Sequence, residues 1–97
     1  MTDLILGAKD TKGKPNWSLV SLKNLEGICH VREFGVNKYK DPSNWKKVPP
    51  ADYYSAAIRH LVQMQEKGLY STDEESGLLH VDHALTNLMF IRGLWHD

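Results

Sequence analysis

Two imidazoles and a carboxamide recur along one face of the last helix that the sequence predicts. At 100° per residue, His80, His83 and Asn87 fall within about 60° of one another. They share this stripe with Ile91 and Leu94, where a helix of this size normally presents an apolar face to the core. A buried polar group without a partner costs about 1–3 kcal/mol. The face therefore forms either a hydrogen-bonded core network or the lining of a metal or ligand site.

The spacing of the two histidines differs from that of zinc-binding helices. His80 and His83 are three residues apart rather than four, and neither the glutamate of the metalloprotease helix nor a cysteine accompanies them. A zinc hydrolase of that type is therefore disfavoured. On the same helix, Asp82, Thr86 and Arg92 fall outside the stripe, and we expect them to point toward solvent.

The preceding helix predicts a further inward histidine. His60 shares a helical stripe with Tyr53 and Met64, and Arg59 flanks it by one step. An arginine beside a cleft can bind phosphate through two parallel hydrogen bonds. Alternatively, Arg59 is a surface residue that pairs with an exposed carboxylate such as Glu66.

Carboxylates occur where they could hold a hard cation. Glu26, His30 and Glu33 lie along one edge of the first predicted helix, and carboxylate pairs of this kind either coordinate Mg²⁺ or form a solvated edge. The acidic loop at residues 73–75 leads directly into His80 and supplies further oxygens.

Two segments combine aromatic and basic residues, GKPNW at 13–17 and KYKDPSNW at 38–45. Their tryptophan and tyrosine rings could stack on a nucleobase while lysine neutralises phosphate, although such tryptophans also serve as anchors of a small core. Neither segment is a Walker loop.

Three helices must position these residues. Apolar periodicity predicts helices from about residue 18 or 21 to 39, from after 50 to 67, and from about 78 to 94, with loops at 7–18, 40–50 and 69–77. Gly35 marks either the end of the first helix or a close helix contact. No strand pattern appears, so we predict one all-α domain over residues 1–97, a small antiparallel bundle of three helices with ordered polar loops. The apolar stripe of the first helix contains Leu22, Leu25, Ile28, Cys29 and Val36.

Composition excludes several classes of protein. Hydrophobic residues make up 41% and charged residues 25%, values typical of a globular domain, and no apolar run could span a bilayer. The N-terminus lacks a secretory signal, and the single cysteine, Cys29, suits a reducing cytoplasm.

Charge is balanced overall but divided along the chain. Residues 1–50 hold nine basic and five acidic residues, whereas residues 51–97 hold three and seven. A net charge of zero disfavours non-specific binding of nucleic acid. The asymmetry reflects either charge complementarity between packed segments or a site whose basic half binds phosphate and whose acidic half holds a metal.

The last helix is apolar around much of its circumference. Leu85 and Met89 lie opposite His80, and Leu88 and Trp95 extend the apolar surface. Three helices can scarcely cover both sides of such a helix. We therefore predict a homodimer or a higher homo-oligomer that completes the bundle.

A series of motifs resembles one known family across residues 10–92. The series is GKPNWSL, FGVNKY, NW, AAIRHL and DEESGLLHVDHALTNLMF. It is similar to the phage-associated dATP/dGTP diphosphohydrolase N-terminal family, which is related in character to the MazG-like all-α nucleotide pyrophosphohydrolases. Glu75-Ser76-Gly77, His80, His83 and Asn87 all match the closing motif in register.

The resemblance implies hydrolysis of a purine deoxynucleoside triphosphate to monophosphate and pyrophosphate in the cytoplasm of a bacterial host. Mg²⁺, or Mn²⁺, would bridge phosphate oxygens and activate water for in-line attack. The implied metal ligands are Asp73, Glu75 and Glu33. Candidate catalytic side chains are His80, His83, Asn87 and His60. Candidate substrate-binding residues are Lys14, Trp17, Lys38, Tyr39, Asn44, Trp45 and Arg59.

The sequence also departs from that pattern. The carboxylate-dense helix of the MazG-like enzymes is absent, and the first helix offers only Glu26 and Glu33. A second hypothesis is therefore a non-catalytic module that sequesters a nucleotide, such as a signalling nucleotide of bacterial immunity. A third is a structural helical protein with buried polar networks and no ligand.

Overall fold

The computed structural model describes residues 9–10 and 12–95 of the chain, and these residues form an all-α fold. The described residues do not include Met1–Asp3, nor residues 7, 8 and 11 of the first predicted loop. Within the described residues there is no strand, only an isolated antiparallel bridge between Thr72 and Leu79. The helices are α1 (Glu26–Tyr39), α2 (Pro50–Lys67) and α3 (His80–Leu94), with 3₁₀ turns at Trp17–Leu19, Leu22–Leu25 and Asn44–Lys47.

The three helices run up, down and up. Near its start, α1 places Gly27 against Asp82 at the start of α3, so these two helices are parallel. Tyr53 near the start of α2 contacts Phe90 near the end of α3, so α2 is antiparallel to both. Both α1 and α2 pack on α3 but hardly touch each other. An opening therefore lies between α1 and α2, with α3 beneath it.

The α1 helix begins at Glu26, later than the predicted residue 18 or 21. The residues before it form two separate 3₁₀ turns, and the Asn16 side chain caps the first by accepting a hydrogen bond from the Ser18 N–H at 3.1 Å. The first turn is separate and exposed, whereas the second, Leu22–Leu25, runs directly into α1 at Glu26 with 3₁₀ rather than α-helical geometry. The predicted end at Tyr39 is confirmed, and Lys40 caps it with a left-handed backbone at φ 62°.

The other two helices follow the predicted pattern closely. Pro50 is itself the first residue of α2, since the first turn of a helix needs no proline N–H. The helix ends at Lys67, before Gly68. The α3 helix begins at His80 rather than near residue 78 because the preceding backbone pairs with residues 71–73, and the His80 N–H donates to the Ser71 carbonyl at 2.9 Å.

The expectation that Asp82 and Thr86 point toward solvent is wrong. Thr86 is only 2% exposed, and its hydroxyl donates to the Asp82 carbonyl at 2.7 Å, which satisfies it without water. Asp82 lies against Gly27 so closely that a Cβ there would clash with its carboxylate. Gly27 is thus the close helix contact, whereas Gly35 lies within α1 with no atom near an added Cβ. Arg92 is exposed, as expected.

The core is small, and the predicted stripe of α1 is partly wrong. Val31 is the buried residue of α1, whereas Cys29 is exposed because the helix turns a different face toward α3. Leu22 is exposed in the 3₁₀ turn that precedes the helix. Several large apolar side chains remain exposed, among them Leu61 on α2 and Leu88 and Met89 on α3. Homo-oligomerisation that covers them stays a prediction. No helix in the described part of the chain is long and apolar enough to cross a membrane.

Candidate active site

A cleft of about 400 Å³ occupies the opening between α1 and α2. His60, Asp73 and His83 line what we call its imidazole end, whereas Trp45 and Phe90 line its aromatic end. Seven residues of α3 separate His83 from Phe90, which corresponds to about 10 Å along the helix. The volume lies within the range that holds small-molecule ligands.

Three histidines are coupled at the imidazole end. The Nδ1 atoms of His60 and His80 are 2.8 Å apart, so one of them donates a proton and the other accepts it. The ring of His60 also stacks on that of His83, with centroids 4.6 Å apart and an interplanar angle of 9°. His80 is 5% exposed, so the helix start holds it in place while His60 and His83 face the cleft.

A tight turn before α3 fixes Asp73 and Ser76. Asp73 Oδ2 accepts hydrogen bonds from the Ser76 N–H at 2.9 Å and from the Ser76 hydroxyl at 3.0 Å. The turn closes through the Gly77 N–H, which donates to the Asp73 carbonyl at 2.7 Å. Gly77 has φ +74°, a conformation that favours glycine, which explains the Gly of the Glu-Ser-Gly motif.

Ser76 links this turn to α3. Its Oγ lies 2.7 Å from His83 Nε2, and His83 Nε2 lies 3.9 Å from Asp73 Oδ2. The hydroxyl has a single proton. When that proton bonds to Asp73, His83 must carry its own proton on Nε2; when it bonds to His83, Nε2 is the acceptor. The position of the proton on His83 therefore decides whether the Ser76 hydroxyl donates to Asp73 or to His83.

Burial keeps the two cleft-facing imidazoles neutral. It lowers the pKa of His60 to about 4, and the nearby His83 and His80 contribute in the same direction. Burial also lowers the pKa of His83, although Asp73 opposes the shift. For Asp73 burial acts to raise the pKa, but the two hydrogen bonds from Ser76 outweigh it and hold the pKa below its ordinary value. A charged carboxylate thus faces uncharged imidazoles at neutral pH.

Three cationic side chains line the cleft. Lys38 Nζ is 2.9 Å from Glu75 Oε2, and this hydrogen bond raises the pKa of Lys38. Arg59 donates to the Ser55 hydroxyl at 3.0 Å and not to Glu66. Arg32 donates to a backbone carbonyl at 2.7 Å and lies over the Phe90 ring, 5.2 Å from its centroid. Positive charge is thus available along the cleft wall.

Three aromatic rings pack against one another at the aromatic end. Trp45 stacks on Phe90 with centroids 5.2 Å apart and an interplanar angle of 14°, and Tyr53 lies 4.7 Å from Phe90. The Tyr53 hydroxyl donates to the Trp45 carbonyl at 2.9 Å. Gly93 gives the tryptophan ring room, since a Cβ there would lie 3.2 Å from its Cη2.

The predicted carboxylates do not form one oxygen-rich metal site. Glu33 lies outside the cleft and pairs with His30 at 3.1 Å on an exposed part of α1. Glu75 is bound to Lys38. Asp73 alone of the three lies beside the imidazole nitrogens of the cleft. This donor set does not suit Mg²⁺, which prefers oxygen ligands in an octahedral arrangement.

The structure brings most of the predicted site residues together. His80 lies at a neighbouring depression that shares His60 and Asp73 with the cleft. Lys14 and Trp17 are exposed and line neither opening, like Glu33. The predicted residues that line the cleft are Lys38, Tyr39, Asn44, Trp45, Arg59, His60, Asp73, Glu75, His83 and Asn87.

Sequence reasoning missed Arg32, Phe90 and the role of Ser76. A repeated spacing could have revealed the first two, because seven residues bring a helix back to the same face. Arg32 precedes Tyr39 by seven residues, and Phe90 follows His83 by seven. Asn87 also faces the cleft, and its amide donates to the His83 carbonyl at 2.9 Å within α3.

Comparison with known proteins identifies the family of this chain. The family model for "dATP/dGTP diphosphohydrolase, N-terminal" matches residues 6–96. A protein of Salmonella phage PMBT28 named dATP/dGTP diphosphohydrolase is 32% identical over 85 residues, which cover 88% of this chain and 28% of the phage protein. The chain thus spans less than a third of that relative's length. No solved structure matches the chain. With nearly its whole length matched by one family model, the chain belongs to the dATP/dGTP diphosphohydrolase N-terminal family.

Proposed function

We propose that the protein hydrolyses a purine deoxynucleoside triphosphate to the monophosphate and pyrophosphate within the cleft. The observation that carries this proposal is the polarity of the cleft itself. A stacked aromatic pair lies at one end, and Asp73 with two neutral imidazoles lies at the other. A nucleotide has the same division, with a flat base at one end and a charged phosphate chain at the other.

In this proposal the base contacts the aromatic end. Trp45 and Tyr39 offer ring faces at the cleft wall, and Asn44 offers an amide that can bond to a base edge. Lys38, Arg59 and Arg32 neutralise the phosphates, since a lysine acts as a point charge and an arginine can bind two oxygens at once. The Lys38–Glu75 pair would have to open for Lys38 to reach a phosphate.

His83 is the residue that we assign to proton transfer. A base that works near neutral pH should be neutral before the reaction and have a pKa not far below the working pH. His60, with a pKa lowered to about 4, is the weaker base. His83 Nε2 contacts the Ser76 hydroxyl, which lets Asp73 stabilise the protonated ring. Asn87 lies on the same helix as His83, faces the cleft and contacts the substrate in this proposal.

Mg²⁺, or Mn²⁺, belongs to the proposal as the counter-ion of the triphosphate. In that form it neutralises phosphate charge without needing three protein carboxylates. The proposed setting is the cytoplasm of a bacterium that carries a phage or prophage, where such an enzyme would change the nucleotide pool.

A second candidate function is supported by the placement of the predicted metal ligands. Glu75 is bound to Lys38, and Glu33 lies outside the cleft. A cleft in which Asp73 alone of the three predicted metal ligands is available could bind a nucleotide, such as a signalling nucleotide of bacterial immunity, without cleaving it.

One experiment separates the two functions. The protein is incubated with each deoxynucleoside triphosphate and Mg²⁺ or Mn²⁺, then heated, and the supernatant is analysed by chromatography. The enzyme yields monophosphate and pyrophosphate from dATP or dGTP, and His83→Leu abolishes the products while Lys23→Ala, an exposed change outside the cleft, does not. Full recovery of bound, intact nucleotide would favour sequestration. No binding of any nucleotide would contradict both functions.

A further inference from the structure

Three side chains from separate parts of the chain converge beside the cleft. His60 lies on α2, Asp73 in the turn before α3, and His80 at the first position of α3. Each offers one ligand atom, and these three atoms lie within 4.8 Å of one another. His60 and Asp73 line both the cleft and the neighbouring depression, where His80 also lies. The cluster therefore stands at the junction of two openings.

The chemistry of these donors selects a class of cation. Two imidazole nitrogens and one carboxylate oxygen suit first-row transition ions such as Mn²⁺, Fe²⁺, Co²⁺ and Zn²⁺. Mg²⁺ prefers oxygen ligands alone. Three protein ligands would leave further coordination positions open for water or a substrate group.

The fold holds the three donors ready for such an ion. His80 is 5% exposed, and its backbone N–H is fixed by the Ser71 carbonyl at 2.9 Å. Asp73 is oriented by two hydrogen bonds from Ser76. The Nδ1 atoms of His60 and His80, only 2.8 Å apart, hold one proton between them. A cation that binds to both nitrogens would take the place of that proton, which would move to Nε2 of the same ring.

We infer that His60, Asp73 and His80 form a binding site for a divalent transition-metal ion. The ion binds to the protein alone, before any nucleotide. Each imidazole then binds the ion through Nδ1 as a neutral ring, as histidine ligands do. Metal binding without nucleotide also separates this inference from the proposed hydrolysis, since each can fail while the other holds.

The test uses the whole protein, freed of metal by a chelator, and Co²⁺ as the probe. Titration followed by visible absorption should give one Co²⁺ per chain with the bands of nitrogen-containing coordination. Mg²⁺ at the same concentration should not displace it. His60→Gln and Asp73→Asn should each weaken Co²⁺ binding at least about tenfold. His30→Gln, which removes an exposed imidazole of α1, should leave it unchanged.

Both variants keep a polar side chain of similar size, and circular dichroism verifies that they fold. Unchanged Co²⁺ affinity in both variants would overturn the inference. So would equal loss of affinity in His30→Gln, or displacement of Co²⁺ by Mg²⁺ at equal concentration.

Discussion

Two short segments of this chain have nearly the same composition but different positions in the fold. Residues 14–17 read Lys-Pro-Asn-Trp, and residues 42–45 read Pro-Ser-Asn-Trp. Each tryptophan begins or lies within a 3₁₀ turn. Trp17 is 68% exposed and outside the cleft, whereas Trp45 lies in the cleft wall and stacks on Phe90. Local sequence therefore favours the same turn twice, and only packing against α3 makes one of them part of a site.

The strongest test of the site compares an imidazole inside the cleft, that of His83, with one outside the cleft, that of His30. We expect His83→Leu to lower the hydrolysis rate at least about 100-fold, because it removes the proposed base. The melting temperature should change little, since Ser76 keeps Asp73 as its partner. His30→Leu, on the exposed side of α1, should change neither quantity. A large fall in melting temperature, with residual activity that follows the folded fraction, would make the role of His83 structural.

The two tryptophans should differ in their contribution to stability. Trp45→Ala removes the stacked contacts with Phe90, and we expect it to lower the free energy of unfolding by about 2–3 kcal/mol. Trp17→Ala should change it by less than about 0.5 kcal/mol. Chemical denaturation of both variants gives the comparison. Weaker nucleotide binding in Trp17→Ala would show instead that its segment reaches a site in a second copy of the chain.

Acidification should destabilise the imidazole end selectively. The folded pKa of His60, about 4, lies below its ordinary value of 6.5, so the unfolded chain takes up more protons between these values. The free energy of unfolding should therefore fall by about 1–2 kcal/mol from pH 7 to pH 5. His83 shifts in the same direction. Asp73 does not contribute to this loss of stability between pH 7 and pH 5, because its pKa is lowered from 3.8 and its effect on stability falls below that pH.

His60→Gln provides the control for this pH dependence. Thermal melts of the variant should show a clearly smaller loss of stability over the same range, whereas His30→Gln should behave like the parent protein. Equal pH dependence in all three proteins would assign the effect to groups outside the imidazole end.

The smallest expected effect compares two lysines. Lys38 lines the cleft, whereas Lys14 is exposed outside it. Lys38→Ala should weaken nucleotide binding about five- to tenfold at low salt and less at high salt, because screening reduces charge attraction. Lys14→Ala should have little effect. Isothermal titration at two salt concentrations measures both, and equal losses would indicate a non-specific charge effect.

Much of the fold follows from local sequence. The ends of α1 and α2 at Tyr39 and Lys67 agree with the apolar period and with Gly68 as a stop signal. The start of α1 could not be predicted in the same way, because the described residues just before Glu26 form helical turns but are almost all exposed to solvent. Thr86 was misplaced because its hydroxyl bonds to its own helix, which lets a polar residue be buried without a distant partner.

The sequence by itself determined that His60 on α2 and His80, His83 and Asn87 on α3 face inward, since helical geometry fixes the angle between residues. It could not determine which of them meet. The 2.8 Å contact of His60 with His80, the pairing of Glu75 with Lys38 and the separation of Glu33 from both depend on how three helices are arranged. That arrangement is set by packing between residues far apart in the chain, such as Gly27 against Asp82 and Tyr53 against Phe90. Periodicity within one helix carries no information about those contacts.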